Sequence, residues 1–126
     1  NTALTSPVLD LSAATAPVLS FWHRFDLESG WDFGRVAVSA NGGATWVEKA
    51  QYSGAQGAWQ PVEIAVPELA GSAQARVRFR LTSDTSVVRD GWYVDDIGIR
   101  PGPAPTWLFI DGAETGSTSR WSAVAP

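Results

Sequence analysis

The side chains able to do chemistry in this sequence are chiefly carboxylates, and they fall in two places. Asp26, Glu28 and Asp32 lie in Phe25-Asp-Leu-Glu-Ser-Gly-Trp-Asp-Phe33, between two runs that read as strands. Asp95 and Asp96 stand side by side in Trp92-Tyr-Val-Asp-Asp-Ile-Gly-Ile99. Successive residues of a strand face opposite ways, so strict alternation turns one of these two inward, where an unpartnered carboxylate is costly. Asp95 shares parity with Ile97 and Ile99, and Asp96 with Trp92 and Val94, so parity leaves open which one points in. A hard cation removes the cost, because Ca²⁺ gathers ~6–8 oxygens from carboxylates, carbonyls and water. Pairing to arginine or backbone is the alternative. The expectation drawn from these clusters is a structural Ca²⁺ ion.

Other chemistries lack their parts. His23 is the one histidine and shares strand parity with Leu19, Phe21 and Phe25, which fits a half-buried sheet residue rather than a catalytic base. With no cysteine and no G-x-S-x-G, nucleophilic triads and histidine-rich zinc sites are excluded. A glycosidase needs an acid and a second carboxyl ~5–10 Å apart across a cleft, and nothing marks such a pair. Gly42-Gly43 is a hairpin signal, not a phosphate loop. The expectation is a protein without catalytic residues. Seven tryptophans in 126 residues raise the odds of an aromatic contact surface. Trp31, Trp59 and Tyr52 stand near turns and are the candidates for stacking on sugar rings. A net charge of −4 with a single lysine, Lys49, argues against nucleic acid as a partner. Arg76, Arg78 and Arg80 alternate along one run and read as the solvated outer face of a sheet.

The elements that must position these groups are strands. Alternation of period two marks Val18–Phe25, Gly34–Ser39, Val62–Val66, Val77–Leu81 and Trp92–Ile99, separated by turn signals at Ser29-Gly30, Asn41-Gly42-Gly43, Ser53-Gly54, Ala70-Gly71 and Asp90-Gly91. No helix is expected beyond a short 3₁₀ turn at Pro67-Glu68-Leu69-Ala70. Many short strands at this spacing predict an all-β fold, an antiparallel β-sandwich of jelly-roll type. No stretch approaches the ~20 apolar residues of a membrane span. Pro101-Gly102-Pro103-Ala104-Pro105 reads as a stiff linker between a body, residues 1–100, and a tail, residues 106–126.

Ser39-Ala-Asn41-Gly42-Gly43-Ala-Thr45-Trp46 fits S-x-[DN]-x-G-x-T-W and resembles the Asp-box hairpin of sialidase propellers and other secreted β domains; one copy reads as structural. The ordered set Leu4–Ser12, Leu19–Asp32, Val38–Trp46, Val77–Asp84 and Asp90–Ile97 resembles the MAM-like domain of immune inhibitor A metallopeptidases, related to cleaved-adhesin domains. The resemblance covers residues 3–100. It implies a jelly roll, a calcium site formed by Glu28, Asp32 and one or both of Asp95 and Asp96, with Asp26 a further contributor, and an accessory role beside a peptidase. The function it implies is a non-catalytic, calcium-stabilised binding or adhesion module, secreted or at the cell surface, docking on protein or glycan without inserting in membranes.

Such domains open with a segment like F-E-x-G…W that is not found before Thr2, whereas Phe109-Ile-Asp-Gly-Ala-Glu-Thr-Gly-Ser-Thr-Ser-Arg-Trp121 is similar to it. Trp107, Phe109, Asp111, Glu114 and Trp121 are therefore candidates for a complementing strand. It would fill either the domain's own groove or a neighbour's, the latter building a homopolymer. A self-assembling filament-type subunit and a carbohydrate-binding module of a secreted hydrolase are the alternative functions.

Overall fold

The computed structural model describes residues 2–82, 89–100, 108–109 and 120–125. Among the described residues ten strands form two five-stranded antiparallel sheets, an all-β sandwich as the alternation requires. The first sheet contains β1 (Thr2–Thr5), β2 (Leu9–Leu11), β4 (Phe33–Ser39), β5 (Val47–Tyr52) and β7 (Ser72–Thr82), in the order β1-β7-β4-β5 with β2 also on β7. The second contains β3 (Val18–Asp26), β6 (Ala55–Ala65), β8 (Arg89–Arg100), β9 (Leu108–Phe109) and β10 (Arg120–Ala125), in the order β10-β8-β3-β6 with β9 also on β8. The expected 3₁₀ turn is present at Pro67–Leu69. Among the described residues no helix is long and apolar enough to cross a membrane.

Period-two patterning decides which side chains meet between the sheets. On β3 the parity of Leu19, Phe21, His23 and Phe25 is buried, and that of Ser20, Trp22 and Arg24 faces out. From the other sheet come Val36, Val38, Val77, Phe79 and Leu81. The centre is aromatic. Phe21 meets Phe79 edge to face at 5.1 Å, and the Trp92 indole, fully buried, lies 5.8 Å from Phe79. A Cβ on Gly34 would come within 2.9 Å of two Trp92 ring carbons, so glycine on β4 is what lets the indole lie against that strand.

The β4–β5 connection is built as its sequence reads. Ser39 Oγ donates to Asn41 Oδ1 at 2.8 Å and accepts the Gly43 amide at 2.9 Å. Asn41 Oδ1 accepts the Thr45 amide at 2.9 Å, and Asn41 Nδ2 donates to Thr45 Oγ1 at 2.8 Å. Gly42 and Gly43 take φ of 74° and 103°, the left-handed region that side chains resist. These bonds stay within the turn, while the Gly42 amide donates to the Gln74 carbonyl at 2.8 Å and ties the turn to β7 as well.

Candidate functional site

The structure separates the two groups of expected calcium ligands. Asp26 ends β3, opposite Gly91 and Ala55. Glu28 and Asp32 belong to the loop that follows. Asp32 is fully buried, and its Oδ2 accepts the Glu28 amide at 2.9 Å while its own amide donates to the Glu28 carbonyl at 2.9 Å. Ser53 Oγ then ties the Asp32 carbonyl to the β5–β6 turn at 2.8 Å. This carboxylate closes its own loop. Asp95, by contrast, pairs with Trp22, four positions along β3 from Asp26, roughly 13 Å at ~3.3 Å per strand residue. Among the described residues no three carboxylates or histidines come together in a way that could hold a metal. Asp26 and Asp95 are therefore too far apart along the ladder to reach one Ca²⁺ ion together.

The neighbouring aspartates have a different explanation. Trp22 pairs with Asp95 and Ser20 with Gly98, so two steps on β3 face three on β8: a β-bulge holds one extra residue. Asp96 is that residue. Its φ is +52°, the one positive value among described non-glycine residues, and its amide donates to Asp95 Oδ1 at 2.9 Å. The bulge resets the phase of the strand, so Val94 and Ile97 are both buried while Asp95 is half-buried and Asp96 exposed. Neither aspartate points inward, a correction to strict alternation.

Instead both aspartates join an aromatic surface on the outside of the second sheet. Trp22 is 42% exposed despite its central strand. With Trp59, Asp95 and Asp96 it lines an open pocket of about 220 Å³. Arg24, next along the outer face, lies 4.2 Å from the Tyr93 ring centroid and 5.7 Å from that of Trp59. The site thus offers an indole face, carboxylate acceptors and a nearby guanidinium donor. Trp59 was a sequence candidate. Trp22 and Arg24 were not, although both stand in the polar parity of β3 and an indole there is out of place in a purely solvated row.

The remaining candidates fall elsewhere. Tyr52 packs its ring 4.6 Å from His23, 5.8 Å from Phe25 and 6.2 Å from Trp92, and burial raises its pKa, so it belongs to the core rather than to a platform. Trp31 is 65% exposed on the Glu28–Asp32 loop, apart from the Trp22 pocket. His23 is buried, its Nδ1 accepts the Trp92 indole N–H at 3.1 Å, and burial lowers its pKa to about 4. That imidazole is a structural acceptor. In the tail, Leu108–Phe109 pairs with Gly98 and Ile99, and Arg120–Ala125 pairs with β8 between Arg89 and Asp95, all within the chain. Phe109 and Trp121 take part through their backbones; Trp107, Asp111, Glu114 and the 101–105 linker lie outside the described residues.

No protein-family model matches the chain. The chain is similar to bacillopeptidase F of Bacillus subtilis (strain 168), with 32% identity over 99 residues, covering 77% of this chain. The chain spans about 7% of the length of that curated relative.

Proposed function

We propose that the chain is a non-catalytic, extracellular binding module, of the MAM-like kind that accompanies peptidases, and that it docks on a neutral glycan through the outer face of its second sheet. The carrying observation is the exposed Trp22 indole flanked by Trp59, with Asp95 and Asp96 both turned to the same pocket. A pyranose ring presents an apolar C–H face and a rim of hydroxyls. The first stacks on an indole, and the second donates to carboxylates and accepts from a guanidinium such as Arg24. A cationic ligand fits less well, because Arg24 already stands over the Trp59 and Tyr93 rings. The similarity to a short stretch of a peptidase supports an accessory role, and His23, spent on Trp92, supports the absence of catalysis. The filament alternative has less in its favour, since a donated strand would have to displace β9 and β10 from β8.

The test is retention on insoluble neutral polysaccharides, cellulose and chitin among them, together with a panel of soluble oligosaccharides. Binding to at least one neutral hexose polymer is expected. Trp22→Ala should weaken it about tenfold, which corresponds to about 1.4 kcal/mol and matches one stacked ring. Its melting temperature should stay within about 2 °C of wild type, because an exposed side chain adds little to the core. No retention on any neutral polysaccharide, or full retention by the Trp22 variant, overturns the reading.

A further inference from the structure

The outer face of the first sheet carries a cluster of arginines. Of the three alternating arginines of β7, Arg76 is a brace: its Nε donates to the Ser6 carbonyl at 2.9 Å and its Nη1 to the Gly42 carbonyl at 3.5 Å. Arg78 and Arg80 are not used in this way. Arg80 stands directly opposite Arg35 of β4, a cross-strand pair of like charges that a sheet ordinarily avoids. Arg78 lies two residues along on the same face, its guanidinium stacked 4.3 Å from the Trp46 ring centroid. Its Nε is buried and donates no hydrogen bond. Burial and the neighbouring Arg80 both lower its pKa, which marks a cation short of negative company. The one carboxylate at hand is Glu48, which accepts from Arg35 Nη1 at 3.1 Å, and Gln51 Oε1 accepts from the same nitrogen at 2.6 Å. Arg35, Arg78, Arg80, Trp46, Glu48 and Ala37 line a pocket of about 100 Å³.

We propose that this pocket binds a small oxyanion of the sulfate or phosphate type, between the guanidiniums of Arg35, Arg78 and Arg80 and against Trp46. Three guanidiniums against one carboxylate concentrate positive charge on a chain whose net charge is −4. Guanidinium forks match the paired oxygens of such an anion. The pocket admits one anionic group, and three arginines are too few for the long phosphate track of a nucleic acid. Nothing in this proposal depends on the Trp22 face, which lies on the other sheet.

The experiment uses the full 126-residue chain. Thermal melting and isothermal titration are run with sodium sulfate, and separately with inorganic phosphate, against sodium chloride at equal ionic strength. A rise of about 2 °C or more in melting temperature at 10 mM sulfate over matched chloride is expected, as for any ligand that binds the native state alone. Arg80→Gln, at an exposed position, should remove that rise and leave the melting temperature in chloride unchanged or higher; Arg78→Gln should weaken the response at least fivefold. A sulfated dextran distinguishes the source. If the anion is carried on a polymer, wild type binds it at least tenfold more tightly than Arg80→Gln does, a difference from which any sugar binding at Trp22 cancels. If the ion binds free, inorganic sulfate alone gives the response. Equal melting in sulfate, phosphate and chloride, or a wild-type sulfate response in Arg80→Gln, overturns the proposal.

Discussion

Lowering the pH from about 7 to 4 is expected to remove about 3 kcal/mol of folding stability through His23 alone. The imidazole is buried with its Nδ1 accepting the Trp92 indole N–H, so the neutral ring must carry its own proton on Nε2. Burial lowers its pKa from 6.5 to about 4. Because the folded value lies below the unfolded one, the contribution is complete above pH ~6.5 and is lost as the pH falls toward 4. The separation of about 2.5 units at ~1.36 kcal/mol per unit sets the upper scale of about 3 kcal/mol. Protonation also replaces the acceptor at Nδ1 with a donor, which opposes the indole N–H directly. The assay is urea denaturation followed by tryptophan fluorescence at pH 7, 6, 5 and 4, in wild type and in His23→Gln. Glutamine can accept from Trp92 through its amide oxygen and does not titrate. Carboxylates held low in the folded state, such as Glu68 beside Lys49, contribute equally to both proteins, so the difference between the curves isolates His23. Parallel curves would refute the reasoning.

Two further perturbations test the packing and the bulge. Gly34→Ala should cost about 1–3 kcal/mol by overpacking, because its new methyl must displace the Trp92 ring; an unchanged urea midpoint would contradict that contact. At position 96, alanine should lose about 1 kcal/mol to the left-handed backbone while glycine holds or gains stability, and equal melting of the two would argue against the bulge. In the same melts, Asp95→Asn and Asp96→Asn should show the wild-type response to calcium and to EGTA within about 1 °C, since Asp95 pairs four positions along β3 from Asp26.

Much of the framework was legible in the residues. The inward row Leu19-Phe21-His23-Phe25, the Ser39–Trp46 hairpin and the Pro67–Leu69 turn each rest on local rules: parity, side-chain capping of a turn, and proline at a 3₁₀ start. The candidate sites were less legible because they depend on who lies across the ladder. Parity assigned Asp95 and Asp96 to opposite faces, and a bulge, which no spacing in β8 announces, put both outside. The arginines of β7 form a uniform row in sequence, and only the partner strands divide them. Arg76 finds the Ser6 and Gly42 carbonyls, whereas Arg80 finds Arg35. Trp22 shares its row with Val18, Ser20 and Arg24, and nothing in that row alone marks a site. Its meaning depends on Trp59, which β6 brings alongside from far along the chain.

The extra residue in β8 has a consequence for how this surface could arise and vanish. Without Asp96, residues Trp92 to Ile99 would alternate without interruption, and Trp92, Val94, Ile97 and Ile99 would all keep their inward places. Loss of a single codon would thus leave the sandwich whole while erasing half of its acidic rim. The chemistry of this face can drift by insertion and deletion, independently of the interior that carries it.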